Sequence, residues 1–148
     1  MVENNKIQLR GFHNTYDENG DADGFEFAYR TMYYKGLWLS QFRVGDVTVD
    51  GVVYPKSDLI YNIYGIDYTA EEMYDREDIY WQVNDIATIK IKKPGGLKKG
   101  YHEISVKAGW VLNYGPDQEK EADGSGLGNA GFMAEMFSRE PRKLLLAR

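Results

Sequence analysis

Hydrophobic and polar positions alternate with a period of two from Ile7 to Tyr114, the pattern of strands that bury one face. Phe25, Phe27 and Tyr29 share one side of such a segment, with Glu26 and Arg30 on the other. Ile79, Trp81 and Val83 alternate against Gln82, and Ala87, Ile89 and Ile91 against Thr88, Lys90 and Lys92. The longest run sets Ile104, Val106, Ala108, Trp110 and Leu112 against Glu103, Ser105 and Lys107. One apolar and one polar face per strand predict antiparallel sheets covered on one side. Asp50-Gly51, between Val47-Thr48-Val49 and Val52-Val53-Tyr54, predicts a hairpin, because a type I′ turn needs positive φ at both central residues. Asn19-Gly20 and Asp23-Gly24 mark a turn region ahead of Phe25, and Pro94-Gly95-Gly96 separates the Ile89 segment from the run that starts at Tyr101. Thr69-Ala70-Glu71-Glu72-Met73 has the form of one helical turn, with Thr69 as cap and Glu72 completing a capping box. About eight short strands with turns between them predict an all-β fold, an antiparallel β-sandwich.

The last third departs from this pattern. Gly115 to Gly131 holds five glycines and the acidic cluster Asp117, Glu119, Glu121 and Asp123, without apolar periodicity, and reads as a flexible linker. Phe132, Met133, Met136 and Phe137 then fall at helical spacing, Pro141 interrupts, and Arg142-Lys143-Leu144-Leu145-Leu146 closes the chain. So much apolar surface is not left to solvent, so a short C-terminal helical tail is expected to dock on the sandwich or on a partner. The organisation expected is a β-sandwich domain over residues 1–114, a linker over 115–131 and a docking tail over 132–148.

Composition narrows the chemistry. The 148 residues suit one domain, and 18 Lys and Arg against 23 Asp and Glu leave a net charge of −5, unlike a nucleic-acid binder. No run approaches the roughly 18 apolar residues of a membrane helix. The start, Met1-Val2-Glu3-Asn4-Asn5-Lys6, has no apolar stretch of signal-peptide type, so a cytoplasmic address is expected. With no Cys and 2 His, the chain has little material for a metal or acid–base centre. No catalytic residue, no metal ligand and no cofactor on this chain are expected.

Individual motifs bear this out at the level of sequence. Gly126-Leu127-Gly128-Asn129-Ala130-Gly131 matches G-x-G-x-x-G but follows Lys120-Glu121-Ala122-Asp123 rather than a buried strand, so it reads as linker. The stretch Asp17 to Gly24 places oxygen ligands at alternate positions, yet Ala22 and Ala28 occupy the places where a calcium loop needs Gly and Glu; a solvated acidic turn is expected. His102 and Glu103 are strand neighbours and point to opposite faces, which makes His102 a partly buried structural residue. His13 has no local carboxylate before Asp17. The segment Tyr33-Tyr34-Lys35-Gly36-Leu37-Trp38-Leu39 is aromatic-rich and only partly absorbed by the core pattern. Tyr and Trp are enriched at interfaces, so Tyr33, Tyr34, Lys35, Gly36 and Trp38, with Phe132, Met136 and Phe137 of the tail, are the expected partner-contact residues. Core packing of some members is the competing reading.

Taken together, several blocks resemble the β subunit of bacterial C-glycoside deglycosidases. They are Gly24-Phe25-Glu26-Phe27, Tyr33-Tyr34-Lys35-Gly36-Leu37 with Leu39-Ser40, Val47-Thr48-Val49-Asp50-Gly51, Asp58-Leu59-Ile60, Tyr68-Thr69, Glu72-Met73, Ala87-Thr88-Ile89, Pro94-Gly95-Gly96-Leu97 and Gly100-Tyr101-His102-Glu103. They keep the family's order over roughly residues 8–114. The resemblance implies a non-catalytic β-sandwich subunit paired with a larger TIM-barrel α subunit, which carries a divalent metal of Mn or Mg type and the catalytic base. It further implies a lyase complex that cleaves the carbon–carbon bond between a 3-oxo-glucosyl group and a flavonoid-type aglycone, after a separate oxidoreductase has made the ketone. Two other readings compete with it. One is a stand-alone carbohydrate-binding module using Tyr and Trp platforms, and the other a small β-sandwich enzyme built around His13 or His102.

Overall fold

The computed structural model describes residues 6–30, 36–110 and 141–147. Its strands are β1 (His13–Tyr16), β2 (Ala22–Tyr29), β3 (Leu37–Trp38), β4 (Phe42–Val49), β5 (Val52–Tyr54), β6 (Leu59–Ile63), β7 (Ile66–Tyr68), β8 (Tyr80–Trp81), β9 (Ala87–Lys92), β10 (Gly100–Trp110) and β11 (Arg142–Leu146). One short helix, α1 (Ala70–Tyr74), lies between β7 and β8. The strands form a five-stranded sheet in the order β1-β2-β9-β6-β7, a four-stranded sheet in the order β11-β10-β4-β5, and the small pair β3-β8. Every pairing is antiparallel.

The alternating pattern decides which face of each strand is dry. Phe25, Phe27 and Tyr29 of β2, Ile89 of β9 and Ile104 of β10 are fully buried, and all belong to one hydrophobic cluster. Aromatic rings bridge the two sheets edge to face: Phe25 on Tyr54 at 5.5 Å and Phe42 on Tyr61 at 5.6 Å between centroids. Trp81 joins them, 5.2 Å from Phe42, with its indole Nε1 donating to the Asp85 carbonyl at 2.9 Å. The Asp50-Gly51 hairpin forms as its sequence requires, with φ of 50° and 83°. Thr69 caps α1 through the expected box: Glu72 N donates to Thr69 Oγ1 at 3.2 Å, and Thr69 N donates to Glu72 Oε1 at 2.9 Å.

Three local expectations are corrected. The tail was expected to be helical, but its described part is a strand: β11 pairs with β10 from Gly100↔Leu146 to Ile104↔Arg142. Pairing with the free edge of β10 satisfies the main chain while Leu144 and Leu146 enter the core and Leu145 faces out, a period of two that three consecutive leucines conceal. The helical spacing at Phe132 to Phe137, like residues 111–140 as a whole, lies outside the described residues. Asp23-Gly24 is strand rather than turn, because Gly20 at φ 84° reverses the chain and a register shift between Thr15 and Tyr16 absorbs the extra residue. Gly24 is there for a close approach, since a Cβ would run into the Ile91 carbonyl. Finally, the Ile79–Val83 segment is strand only at Tyr80–Trp81, because the chain turns at Asn84 with φ 71°.

Candidate functional site

Of the expected contact residues, Tyr33, Tyr34, Lys35, Phe132, Met136 and Phe137 lie outside the described residues. Gly36 and Trp38 flank the β3–β8 pair. Gly36 is buried, and a Cβ there would sit 2.5 Å from both the Trp81 carbonyl oxygen and the Tyr80 ring, so close packing requires the glycine. Trp38 is half-buried, with its ring edge-on to Tyr80 at 4.9 Å. The structure thus brings Gly36 and Trp38 together around Tyr80, a residue the sequence pattern did not single out.

An open groove of about 760 Å³ runs between outer strands of the two main sheets, β1 and β11. One wall is Gly11-Phe12-His13-Asn14-Thr15-Tyr16, and the other is formed by Leu145 and Ala147. Asn14 fixes the first wall. Its Nδ2 donates to the Leu97 carbonyl at 2.9 Å, and its Oδ1 accepts from Leu97 N at 2.9 Å. This two-point contact, made by a nearly buried side chain, ties β1 to the Pro94-Gly95-Gly96-Leu97 loop. Gly96 adopts φ 63°, and a Cβ there would lie 2.7 Å from Asn14 Cγ, so the loop must carry a glycine at this point.

His102 packs against Phe12 of the first wall. Its Nδ1 lies 2.6 Å from Asp50 Oδ2 and its Nε2 lies 2.6 Å from the Lys98 carbonyl oxygen. Both ring nitrogens face oxygen atoms, so the imidazole is held at both ends. Burial alone raises the Asp50 carboxyl, but the Glu103 amide donating to it and the hydrogen-bonded His102 outweigh this and hold it below the ordinary 3.8. Phe12 stands edge-on to the His102 ring at 5.9 Å and to Phe25 at 6.5 Å. One side chain therefore joins the β4–β5 turn, the loop before β10 and the groove wall. As expected from its strand position, His102 is largely enclosed, with 11 % of its side chain exposed.

His13, on the groove wall, does not stand alone. His13 does acquire a carboxylate, Glu26 at 3.4 Å, but across the β1–β2 ladder rather than along the chain, which is why local spacing missed it. In the acidic turn, Asp17 Oδ1 accepts from the Asn19 and Asp21 amides at 2.9 and 3.0 Å, and Thr15 donates to Asp23 at 2.7 Å. Among the described residues no three His, Asp or Glu side chains converge on a metal-sized site. Sequence reasoning missed Asn14 and Leu145 as groove residues, and Gly96 as the glycine packed against Asn14. The available signal was an Asn at an inward strand position, a polar group that must find a partner once buried.

These features define an antiparallel β-protein of two main sheets with an open groove between an outer strand of each, and with His13 and His102 each beside a carboxylate. A family model for the C-glycoside deglycosidase beta subunit matches residues 2–114. A curated C-glycoside deglycosidase beta subunit from Eubacterium cellulosolvens is 36% identical over 115 residues, which is 78% of each chain. The chain belongs to the C-glycoside deglycosidase beta subunit family.

Proposed function

We propose that this chain is the non-catalytic β subunit of a heteromeric C-glycoside deglycosidase, a cytoplasmic bacterial lyase complex, and that it shapes and stabilises the catalytic partner. The observation that carries the reading is the extent of the family match: residues 2–114 run from ahead of β1 past the end of β10 and so take in both sheets of the core except β11. The partner is a TIM-barrel α subunit, and the substrate is a 3-oxo-C-glucoside of a flavonoid-type aglycone. The ketone acidifies the neighbouring C2–H. Removal of that proton by a base gives an enolate whose electrons form the C1=C2 bond as the bond from C1 to the aryl carbon breaks, and the aryl carbon takes up a proton. A divalent metal of Mn or Mg type would stabilise the enolate charge. Base and metal are assigned to the partner, a division of labour in keeping with a chain of 2 His and no Cys. Tyr33, Tyr34, Lys35, Gly36 and Trp38, with Phe132, Met136 and Phe137, remain proposed contact residues, and residues 115–131 the proposed linker between sandwich and tail.

The test is co-expression with a TIM-barrel, sugar-isomerase-like partner, followed by co-purification and a 3-oxo-C-glucoside cleavage assay with each chain alone as control. Co-elution with activity that needs both chains is the expected result. A partner that cleaves equally well without this chain, together with glycan affinity in the isolated chain, would replace this reading with a carbohydrate-binding module.

A further inference from the structure

The groove between β1 and β11 has two unlike walls. Six consecutive residues, Gly11 to Tyr16, line one side, whereas β11 and the residue after it contribute only Leu145 and Ala147, which alternate. A strand seen face-on contributes every second residue; a strand seen edge-on contributes all of them. The first wall is therefore the main-chain edge of β1, the terminal strand of its sheet, and the second is the outer face of β11. A main-chain edge offers N–H and C=O groups in a row, and the ligand that meets such a row is another extended chain. At roughly 3.3 Å per residue, the four residues of β1 give an edge of about 13 Å.

The side chains around the edge fix the chemistry of that chain. Tyr16 is 53% exposed and Leu145 is 54% exposed, and Tyr101, directly opposite Leu145 in the β10–β11 register, is 69% exposed. Charge is divided along the groove. The chain as a whole is acidic at −5, yet around the Phe12 end stand Arg10, Lys98 and Lys99, all exposed and none in an ion pair among the described residues. Two carboxylates close to Phe12 are already engaged, Asp50 by His102 and the Glu103 amide and Glu26 by His13. At the Tyr16 end the sign reverses with Asp17, Glu18 and Asp21. The edge is also held in place beforehand, through Asn14 on Leu97 and Phe12 on His102, so little ordering is left for binding to supply.

We propose that this groove receives an extended segment of the partner subunit, which adds as a strand to the open edge of β1 with its carboxylates toward Arg10, Lys98 and Lys99. This rests on the reading of the chain as one subunit of a heteromeric complex. The probe is the co-expressed complex, with photoreactive p-benzoylphenylalanine in place of Tyr16 or Leu145. Val53 and Ile66, which are comparably exposed on β5 and β7, serve as control positions. Cross-links from positions 16 and 145 into one carboxylate-bearing stretch of the partner are expected, with none from 53 or 66. The double substitution Lys98→Glu, Lys99→Glu should weaken association about tenfold at low ionic strength, with the difference shrinking as salt rises. The contact to His102 uses the Lys98 main chain, so the variant keeps that lock, and circular dichroism confirms its fold. Cross-links only from 53 or 66, cross-links into this chain's own residues 111–140, or unchanged affinity of the Lys variant would each overturn the proposal. A chain that elutes without any partner overturns the heteromeric reading and this proposal with it, whereas a complex whose cross-links avoid the groove overturns this proposal alone.

Discussion

Single residues here carry energies that their neighbours in sequence do not reveal. Tyr61 is fully enclosed between Tyr29 and Phe42, and its hydroxyl makes no hydrogen bond among the described residues. Removing an unsatisfied buried hydroxyl relieves its desolvation cost, so Tyr61→Phe should leave the urea midpoint unchanged or raise stability, by up to about 1–3 kcal/mol. Gly96→Ala should do the reverse and cost roughly 1–3 kcal/mol, because the new Cβ meets Asn14 and the backbone there is left-handed. The same urea titrations check both. Asp50 gives a pH signature. Its folded pKa lies below the ordinary 3.8, so its contribution is fully present above that value and is lost as pH falls through the folded pKa. Asp67, held down by the Asn62 amide and Lys90 against the opposing effect of burial, acts in the same sense. The urea midpoint should therefore fall as pH drops below about 4, and fall less in Asp50→Asn.

At the scale of elements, β11 decides how the four-stranded sheet ends. It arrives from a distant part of the chain, yet Leu144 and Leu146 fill inward positions at 1% and 0% exposure. Truncating either to Ala should cost about 2–5 kcal/mol, whereas Leu145→Ala, on the outer face, should stay within about 0.5 kcal/mol. A helical tail would not give this alternation, so the three denaturation curves test the strand directly. The capping box at α1 and the hairpin at Asp50-Gly51 were legible in sequence because each is decided within four residues. The strand character of Asp23-Gly24 was not, because a glycine is needed there for the approach of Ile91, which lies nearly seventy residues away in sequence.

For the whole molecule, the consequence of two sheets rather than a closed barrel is a set of open edges, and open edges invite another chain. The exposed apolar side chains are spread unevenly over them: Val52 and Val53 on β5, Ile66 on β7, and Tyr16, Tyr101 and Leu145 about the groove. The last group sits beside an edge strand pinned through Asn14 and Phe12, near Arg10, Lys98 and Lys99, which make no ion pair among the described residues. If a partner strand adds to β1, hydrogen exchange of amides 12–16 should slow in the complex relative to the isolated chain. Exchange at 66–68 should stay the same, and mass-spectrometric peptide mapping distinguishes the two.

By itself the sequence determined the all-β class, the inward residues of β2 and β9, the Asp50-Gly51 hairpin and the family, because alternation and turn chemistry act over a few neighbours. It also held the separation of His102 from Glu103, which follows from strand geometry alone. Only the tertiary structure decided that His13 faces Glu26, that Asn14 closes on Leu97, that Asp50, His102 and Lys98 form one lock, and that the end of the chain returns as a strand. Each of those contacts joins residues brought together by sheet register, and register is set by the burial of whole faces, which no short stretch of sequence encodes.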